Sequence, residues 1–217
     1  GGPTKLLARF LAPSTHGYYY DTPNSGHLAY AACRTITGLP ADEGRPCRAT
    51  FVLDAATGAI EQVLTAPNPA NEYVAPRNSP TIQNIPIVAD LDGDGQVEII
   101  SGGDVWKLVG GVWTLAWQAQ FDAYTGPKTS FEPSSVAVAD LDGDGKAEVV
   151  FHLLINYYQA GGVYIFNHDG SLRRKIPIST NVSGLLSIAD VDGDGAPEIL
   201  VVGDSFLYVY RQDGSLL

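Results

Sequence analysis

A nine-residue acidic segment occurs three times in this chain at a constant interval. The copies begin at Asp90, Asp140 and Asp190, so each lies fifty residues after the one before it. In every copy Asp stands at positions 1, 3 and 5, Gly at positions 4 and 6, and Glu at position 9. A fixed period of this size indicates a repeat architecture, in which each copy belongs to one supersecondary unit that stacks on its neighbours.

A second recurring pattern is typical of two strands joined by a tight turn. Aromatic and β-branched residues alternate and end at a glycine, which three of the four copies reach through Asp-Gly or Gly-Gly, the signal of a β-hairpin. The copies are Phe51–Gly58, Val105–Gly111, Val163–Gly170 and Leu207–Gly214. Each repeat therefore predicts a four-stranded antiparallel sheet, and the whole chain predicts an all-β fold, a β-propeller of about four blades.

One β-propeller domain is expected over residues 1–217, because the repeat runs through most of the chain. Residues 15–64 are interpreted as a degenerate first blade, in which the segment Asp21–Ala29 keeps the turn of the acidic loop and has lost its charge. Residues 65–217 are interpreted as three blades with acidic loops.

The two ends of the chain leave the architecture open. Only three residues follow Gly214, so the last blade lacks most of an outer strand. Residues 1–14 hold the apolar segment Lys5–Leu11, which is predicted to supply that strand. It would then close a small ring within one chain or join one molecule to the next, whereas a fragment of a larger propeller is the alternative.

Cys33 and Cys47 are the two cysteines of the chain. The segment between them has little apolar content to bury a free thiol, so a disulfide bond is favoured over two unrelated buried thiols. A disulfide predicts an extracellular or cell-surface location. No apolar run approaches the about 18 residues that span a bilayer, and no signal segment opens the chain, so a secreted protein would be represented here by its mature form or a piece of it.

The net charge of −11 is concentrated in the repeated loops, which hold 12 of the 24 acidic residues. Without them the net charge would be +1. The acidity therefore belongs to sites, and the sequence has no basic groove for a phosphate backbone, which excludes nucleic acid as a partner.

Carboxylates at alternate positions around a sharp turn are the ligands of a hard cation, and Ca²⁺ accepts six to eight oxygens in flexible geometry. The side chains at positions 1, 3, 5 and 9 and the backbone carbonyl at position 7 are predicted to bind about three Ca²⁺, one per loop. Magnesium and metal-free turns are the alternatives, and four repelling carboxylates disfavour an empty turn. The predicted ligands are Asp90, Asp92, Asp94, Gln96 and Glu98 in loop 1, Asp140, Asp142, Asp144, Lys146 and Glu148 in loop 2, and Asp190, Asp192, Asp194, Ala196 and Glu198 in loop 3.

An EF-hand opens with a similar series but needs a Glu at position 12 and flanking helices. Position 12 is Ser101, Phe151 and Val201 in the three copies. The flanks are β-branched runs that favour strands, so the sequence excludes an EF-hand.

The Asp-x-Asp-x-Asp-Gly-x-x-Glu loop, preceded by Ile/Val-Ala-Asp, resembles the FG-GAP or VCBS repeat of integrin α-like β-propellers. The resemblance covers about residues 80–217 well and residues 15–64 weakly, and Gly102–Asp104 and Val202–Asp204 are nearest to the signatures that name the family. It implies a Ca²⁺ in a hairpin at one face of the propeller and ligands at the opposite face. Propellers of this family commonly have more blades than this sequence provides, which keeps the fragment interpretation open.

Three functions follow from these patterns. The first is an extracellular, calcium-stabilised, non-catalytic binding or adhesion module for protein or carbohydrate. The second is a structural subunit that forms a homo-oligomer or filament by exchange of the terminal strand. The third is an enzyme similar to polysaccharide lyases, whose candidate base and charge-neutralising residues would be His16, His27, His152 and His168 with Arg173, Arg174 and Lys175.

Ligand contacts are predicted at aromatic side chains. Tyr157 and Tyr158 lie in an insertion of the third blade, and Trp113 and Trp117 are candidates for stacking on a sugar, with blade-to-blade packing as their alternative. Asn181 begins an Asn-Val-Ser glycosylation acceptor sequence.

Overall fold

The computed structural model describes residues 5–12, 47–64, 86–121, 133–153, 161–178, 185–203 and 206–217. These ranges contain fourteen strands and no helix, and every strand pair is antiparallel, so the predicted all-β class is confirmed. The strands are β1 (Lys5–Ala12), β2 (Cys47–Asp54), β3 (Ile60–Leu64), β4 (Ile87–Ala89), β5 (Glu98–Ser101), β6 (Asp104–Val109), β7 (Val112–Gln118), β8 (Pro133–Ala139), β9 (Glu148–Leu153), β10 (Gly161–Phe166), β11 (Leu172–Ile178), β12 (Leu186–Ala189), β13 (Glu198–Gly203) and β14 (Phe206–Tyr210).

The strands form four sheets in the order of the sequence repeat. Two sheets have four strands, β4-β5-β6-β7 and β8-β9-β10-β11, and two have three, β1-β2-β3 and β12-β13-β14. In the last sheet the chain turns back beside β14, where Leu216 forms an isolated antiparallel bridge with Tyr210 and the Leu217 N–H donates to the Val209 carbonyl at 2.8 Å. Each acidic loop joins the first two strands of its sheet, as expected for one loop per blade.

The chain divides into two compact units. Residues 1–82 with 125–130 form the first unit, and residues 83–124 with 131–217 form the second. In the first unit β1 pairs with β2 over eight residues, from Lys5 opposite Asp54 to Ala12 opposite Cys47. The predicted pairing of β1 with the last blade is not among the described strand pairs, and ring closure and strand exchange stay predictions.

Two sequence predictions for the first unit fall outside the described residues. The degenerate loop Asp21–Ala29 lies there, as does Cys33, and only the backbone of Cys47 is described. The disulfide bond stays a prediction. Within the described part of the chain there is no helix with the length and apolarity to cross a membrane.

The core of the second unit lies between stacked sheets. Side chains of β9 and β10 alternate between two clusters, as the period of two in a strand requires. Phe151, Tyr164 and Phe166 pack with residues of the β4–β7 sheet. The neighbouring side chains of these strands, such as Val150 and Ile165, pack with residues of the β12–β14 sheet. The middle sheet is therefore buried on both faces, and this stacking brings the acidic loops of the first two sheets of the unit side by side.

The β10–β11 turn packs against Trp117 of the preceding sheet. The indole Nε1 donates to the His168 carbonyl at 2.9 Å, and the ring lies 6.0 Å from the Phe166 ring, centroid to centroid. Gly170 has φ +86°, and a Cβ at this position would lie 2.7 Å from the Trp117 ring. Trp117 therefore packs against the neighbouring sheet, and its predicted role in ligand binding stays a prediction.

Candidate metal sites

The three acidic loops lie between β4 and β5, between β8 and β9, and between β12 and β13. The Glu at position 9 is the first residue of the second strand in each case, so its side chain is anchored by the sheet. Glu98, Glu148 and Glu198 are 3%, 2% and 1% exposed. Three carboxylates are therefore buried at equivalent places, where a charge needs a partner.

The Asp at position 1 shapes each turn by accepting backbone N–H groups with both oxygens. In loop 1, Oδ1 of Asp90 accepts from Gly93 at 2.8 Å and Oδ2 accepts from Gly95 at 2.9 Å. Asp140 and Asp190 repeat both bonds in their loops. The pKa of Asp140 lies below its usual value chiefly because the Gly145 N–H donates to the carboxylate.

The Glu at position 9 closes each loop from the other side. Its Oε2 accepts the N–H of position 2, at 2.9 Å from Leu91, 2.9 Å from Leu141 and 3.0 Å from Val191. Burial raises the pKa of Glu98 and of Glu148 above the usual value, although these N–H bonds oppose the shift. The second oxygen of Glu98, Oε1, is buried and has no hydrogen-bond partner.

The Asp residues at positions 3 and 5 of loop 1 each accept a backbone N–H with one carboxylate oxygen and leave the other oxygen for side-chain contacts. In loop 1 the Asp94 N–H donates to Asp92 Oδ1 at 3.3 Å, and the Gln96 N–H donates to Asp94 Oδ1 at 2.8 Å. The remaining oxygens face a lysine, since Lys107 Nζ lies 2.6 Å from Asp92 Oδ2 and 2.7 Å from Asp94 Oδ2. The Lys107 ammonium lowers the pKa of Asp94, and the two carboxylates raise the pKa of Lys107.

In the other two loops an arginine takes the place of this lysine. Arg173 Nη1 lies 2.6 Å from Asp142 Oδ2 and 3.4 Å from Glu148 Oε1 in loop 2. Arg211 Nη2 lies 3.2 Å from Asp192 Oδ2 in loop 3. Each acidic loop therefore presents its position-3 carboxylate to one basic side chain of its own sheet.

The predicted metal ligands converge within each loop. One carboxylate oxygen of Asp90, Asp92 and Asp94 lies within 4.8 Å of the others, as do those of Asp140, Asp142 and Glu148, and those of Asp190, Asp192 and Asp194. These clusters of hard oxygen donors can hold a metal, and the unpartnered Glu98 Oε1 at such a cluster fits this. The carbonyl ligands predicted at Gln96, Lys146 and Ala196 stay predictions, as do the carboxylate ligands outside these clusters, which are Glu98, Asp144 and Glu198.

Strands flank all three loops, which agrees with the exclusion of an EF-hand. Ser101, Phe151 and Val201, at position 12, lie within β5, β9 and β13. Position 12 therefore supplies no bidentate glutamate, and the last acid of each loop is the Glu at position 9.

Sequence reasoning did not place Lys107, Arg173 or Arg211 at the acidic loops. Lys107 stands opposite Glu98 in the β5–β6 register. A basic residue paired across a hairpin with the last acid of the loop is a signal that the sequence contains, but it requires the strand register to be known.

The remaining candidates have varied places. Trp113 is half-buried on β7, and its ligand role stays a prediction, whereas Tyr157, Tyr158, Asn181, His16 and His27 lie outside the described residues. His152 is 1% exposed on β9. His168 lies in the β10–β11 turn with its Nε2 3.4 Å from Lys146 Nζ.

Comparison with known proteins places this geometry among repeat proteins. The family model described as FG-GAP-like repeat matches residues 90–151, which contain two acidic loops. No curated protein matches the chain.

Solved structures share the fold at low identity. The biofilm matrix protein Bap1 of V. cholerae has 21% identity and a TM-score of 0.50, covering 77% of this chain and 23% of that chain. Rhamnogalacturonan lyase YesW has 18% identity and a TM-score of 0.53, covering 78% and 30%. Rhamnogalacturonan lyase PL11 of Bacillus licheniformis has 21% identity and a TM-score of 0.52, also covering 78% and 30%.

This chain thus spans less than a third of the length of each of these proteins. At such identity the likeness shows the fold alone, which is β-propeller-like. Residues 90–151 therefore match an FG-GAP-like repeat, in a chain whose fold is β-propeller-like.

Proposed function

We propose that this chain is a calcium-stabilised, β-propeller-like module that binds a protein or carbohydrate ligand outside the cell without catalysing a reaction. About three Ca²⁺ are proposed, one per acidic loop, a number that rests on the repeat. Support for the extracellular setting comes from the family of the repeat and from the description of Bap1 as a biofilm matrix protein.

The observation that carries the metal proposal is the arrangement around Glu98. Its Oε1 is buried without a hydrogen bond and lies 3.6 Å from Lys107 Nζ, the same ammonium that contacts Asp92 Oδ2 and Asp94 Oδ2. A buried acceptor without a partner costs about 1–3 kcal/mol, and more when it is charged. A divalent cation bound to these three oxygens would offset that cost.

Calcium suits the donor set better than magnesium. Four carboxylates from nine residues, with a main-chain carbonyl at position 7, supply many oxygens from a flexible loop. Ca²⁺ accepts such a set, whereas Mg²⁺ requires a near-ideal octahedron and keeps several waters.

The proposed ions act on stability. Each loop joins two strands of a sheet, so an ion that holds the loop also holds the strand pair. At about 1 mM Ca²⁺ a site with a dissociation constant of about 0.1 mM contributes about 1.4 kcal/mol, so three sites contribute about 4 kcal/mol. A change of this size shifts the melting temperature of a domain of this length by roughly 10 °C.

Calorimetry and thermal unfolding test the metal. Titration with Ca²⁺ is expected to show about three sites, and EGTA is expected to lower the melting temperature by roughly 10 °C relative to Ca²⁺. The variant Asp92→Asn, Asp142→Asn and Asp192→Asn should lose this difference. Glu61→Gln, which changes an acid paired with Lys5 outside the loops, should keep it. Equal melting temperatures in EGTA and Ca²⁺ would contradict the proposal.

Binding is preferred to catalysis on the placement of the lyase-like candidates. His152 is 1% exposed, which withdraws it from a substrate. Arg173 is engaged by Asp142 and donates through Nη2 to Gln212 at 2.9 Å. His152 is thus buried, and Arg173 has structural partners.

Affinity electrophoresis through gels containing rhamnogalacturonan, paired with an absorbance assay for unsaturated products, separates the two functions. Retardation in the gel without product formation is the expected result. Product formation that depends on native protein would replace the binding module with a lyase-like enzyme.

A further inference from the structure

We propose that Lys107, Arg173 and Arg211 are tethered cations that compete with Ca²⁺ for the acidic loops and so set the calcium affinity of each loop. The inference rests on the proposed calcium function and adds to it residues outside the ligand set. It also assigns a role to three basic side chains that lie outside the nine-residue acidic segments.

The first argument is that both cations need the same atoms. In every loop the basic side chain contacts Oδ2 of the position-3 Asp, at 2.6 Å for Lys107, 2.6 Å for Arg173 and 3.2 Å for Arg211. In loop 1 the Oδ1 of the same carboxylate accepts a backbone N–H. The oxygen that the backbone leaves for a metal is thus the one that the basic side chain contacts, so a bound cation and the basic side chain would meet at the same atom and repel each other.

The second argument is that the charge is kept although its position in the sheet changes. Lys107 stands opposite Glu98, and one step beyond the pair Ile199–Tyr210 the same place opposite Glu198 belongs to Arg211. In the middle sheet, one step beyond Val149–Phe166, this place belongs to Asn167. There Arg173 reaches the loop from β11 instead. The contact between a basic side chain and the position-3 Asp therefore occurs in all three loops although its strand position differs, so the register of the sheet alone does not explain it.

The third argument is that the contacts differ in strength. Lys107 contacts three carboxylates and is 28% exposed. Arg173 contacts two and is 26% exposed. Arg211 contacts one and is 41% exposed. Competition should therefore be strongest in loop 1 and weakest in loop 3. Calcium affinity should accordingly increase from loop 1 to loop 3.

The expected size follows from Coulomb's law. A displaced ammonium that stays about 5 Å from a bound Ca²⁺ repels it enough, even in bulk water, to weaken binding roughly tenfold. A lysine that leaves three carboxylates also gives up its own contacts, which adds to the effect.

Calorimetry on a chain with one intact loop tests the inference. The parent carries Asp142→Asn and Asp192→Asn, so only loop 1 titrates with Ca²⁺. Lys107→Met in this parent should bind Ca²⁺ about tenfold more tightly, and Lys107→Arg, which keeps the charge, should stay near the parent. The matched control is Lys175→Met, which removes the same charge from an ammonium over the Tyr164 ring, 5.1 Å from its centroid, and should change little.

Thermal unfolding gives a readout that a purely structural ion pair would not give. In EGTA, Lys107→Met should melt below the parent, because the three carboxylates that Lys107 contacts lose their counter-ion. In saturating Ca²⁺ it should melt at or above the parent. If Lys107→Met does not fold in EGTA, Arg211→Met in an Asp92→Asn, Asp142→Asn parent supplies the same comparison at loop 3.

The outcomes separate this inference from the proposed function. A parent that binds Ca²⁺ while Lys107→Met binds with equal or weaker affinity overturns the competition and leaves the calcium sites in place. Failure of both the parent and the unmodified chain to bind Ca²⁺ overturns the proposed function and the inference together. A gain equal to that of Lys175→Met overturns the competition, because it reports net charge alone.

Discussion

The backbone N–H of Ala147 donates to the carbonyl oxygen of Leu91 at 2.9 Å, and this bond joins the acidic loops of two neighbouring sheets. Position 8 of loop 2 thereby contacts position 2 of loop 1. The backbones also approach closely here, since a Cβ on Gly93 would lie 3.2 Å from the Gly145 carbonyl oxygen. Loop 3 has Pro197 at position 8, and proline has no N–H to donate.

Replacement of Ala147 by proline should isolate this bond. Pro197 shows that the loop accepts proline at position 8, so Ala147→Pro should remove the donor without reshaping the turn. The expected loss is about 1 kcal/mol, or roughly 2–4 °C in melting temperature. Ala147→Ser keeps the N–H and should unfold near the unmodified chain, and equal melting of the serine and proline variants would contradict the role of the bond.

Two glycines at equivalent turn positions should differ in their tolerance of alanine. Gly170 and Gly214 have φ +86° and +83°, but a Cβ would lie 2.7 Å from the Trp117 ring at Gly170 and 3.4 Å from its nearest neighbour at Gly214. Gly214→Ala should lose about 1–2 kcal/mol from its backbone conformation, and Gly170→Ala about 1–3 kcal/mol more from overpacking. Urea unfolding measures both, and equal losses would show that Trp117 moves aside freely.

The acids at positions 1 and 3 should have different roles in metal-free protein. Both oxygens of Asp140 accept backbone N–H groups, and the amide nitrogen of an asparagine cannot accept one. Asp140→Asn should therefore lower stability in EGTA by more than Asp142→Asn does. Asp142→Asn, which loses an ion pair with the partly exposed Arg173, should lose less than about 1 kcal/mol. Chemical unfolding in EGTA that ranks the two variants in the opposite order would contradict this division.

The pH dependence of the β10–β11 turn follows from Asp169. Its pKa lies below the usual 3.8, chiefly because the Ser171 hydroxyl and N–H donate to the carboxylate. For a lowered pKa the stabilisation is present above the ordinary value and is lost as the pH falls through the folded-state pKa. Ser171→Ala should therefore lower the melting temperature by at most about 3 °C at pH 7, and by less at a pH below the folded-state pKa.

Thermal unfolding between pH 7 and pH 2 measures this difference. Ser215→Ala, at the matching Asp213 turn, should show the same trend, because Asp213 has a lowered pKa of the same origin. A Ser171→Ala deficit that stays constant over the whole range would mean that the hydroxyl stabilises the turn independently of the charge on Asp169.

Local geometry was open to prediction from the sequence. The spacing of the acidic segments predicted one loop per sheet, because the bonds that shape the turn, such as those from Asp90 to Gly93 and Gly95, span at most five residues. Alternation predicted the strands of β10 and β14, and the glycine-ended turns predicted the hairpins. The convergence of three carboxylates in each loop also followed, since they belong to nine consecutive residues.

Contacts between distant segments were decided by the tertiary structure alone. Lys107 and Arg173 lie 15 and 31 residues from the carboxylates that they contact, and strand register and side-chain reach select them. Stacking of the sheets put Trp117 against a turn 51 residues away. The residue type alone had allowed either this packing or a contact with a sugar. The sequence by itself determined the three acidic turns because their hydrogen bonds are local. Only the packing of sheets determined which cation each turn faces, because those partners meet through long-range contacts.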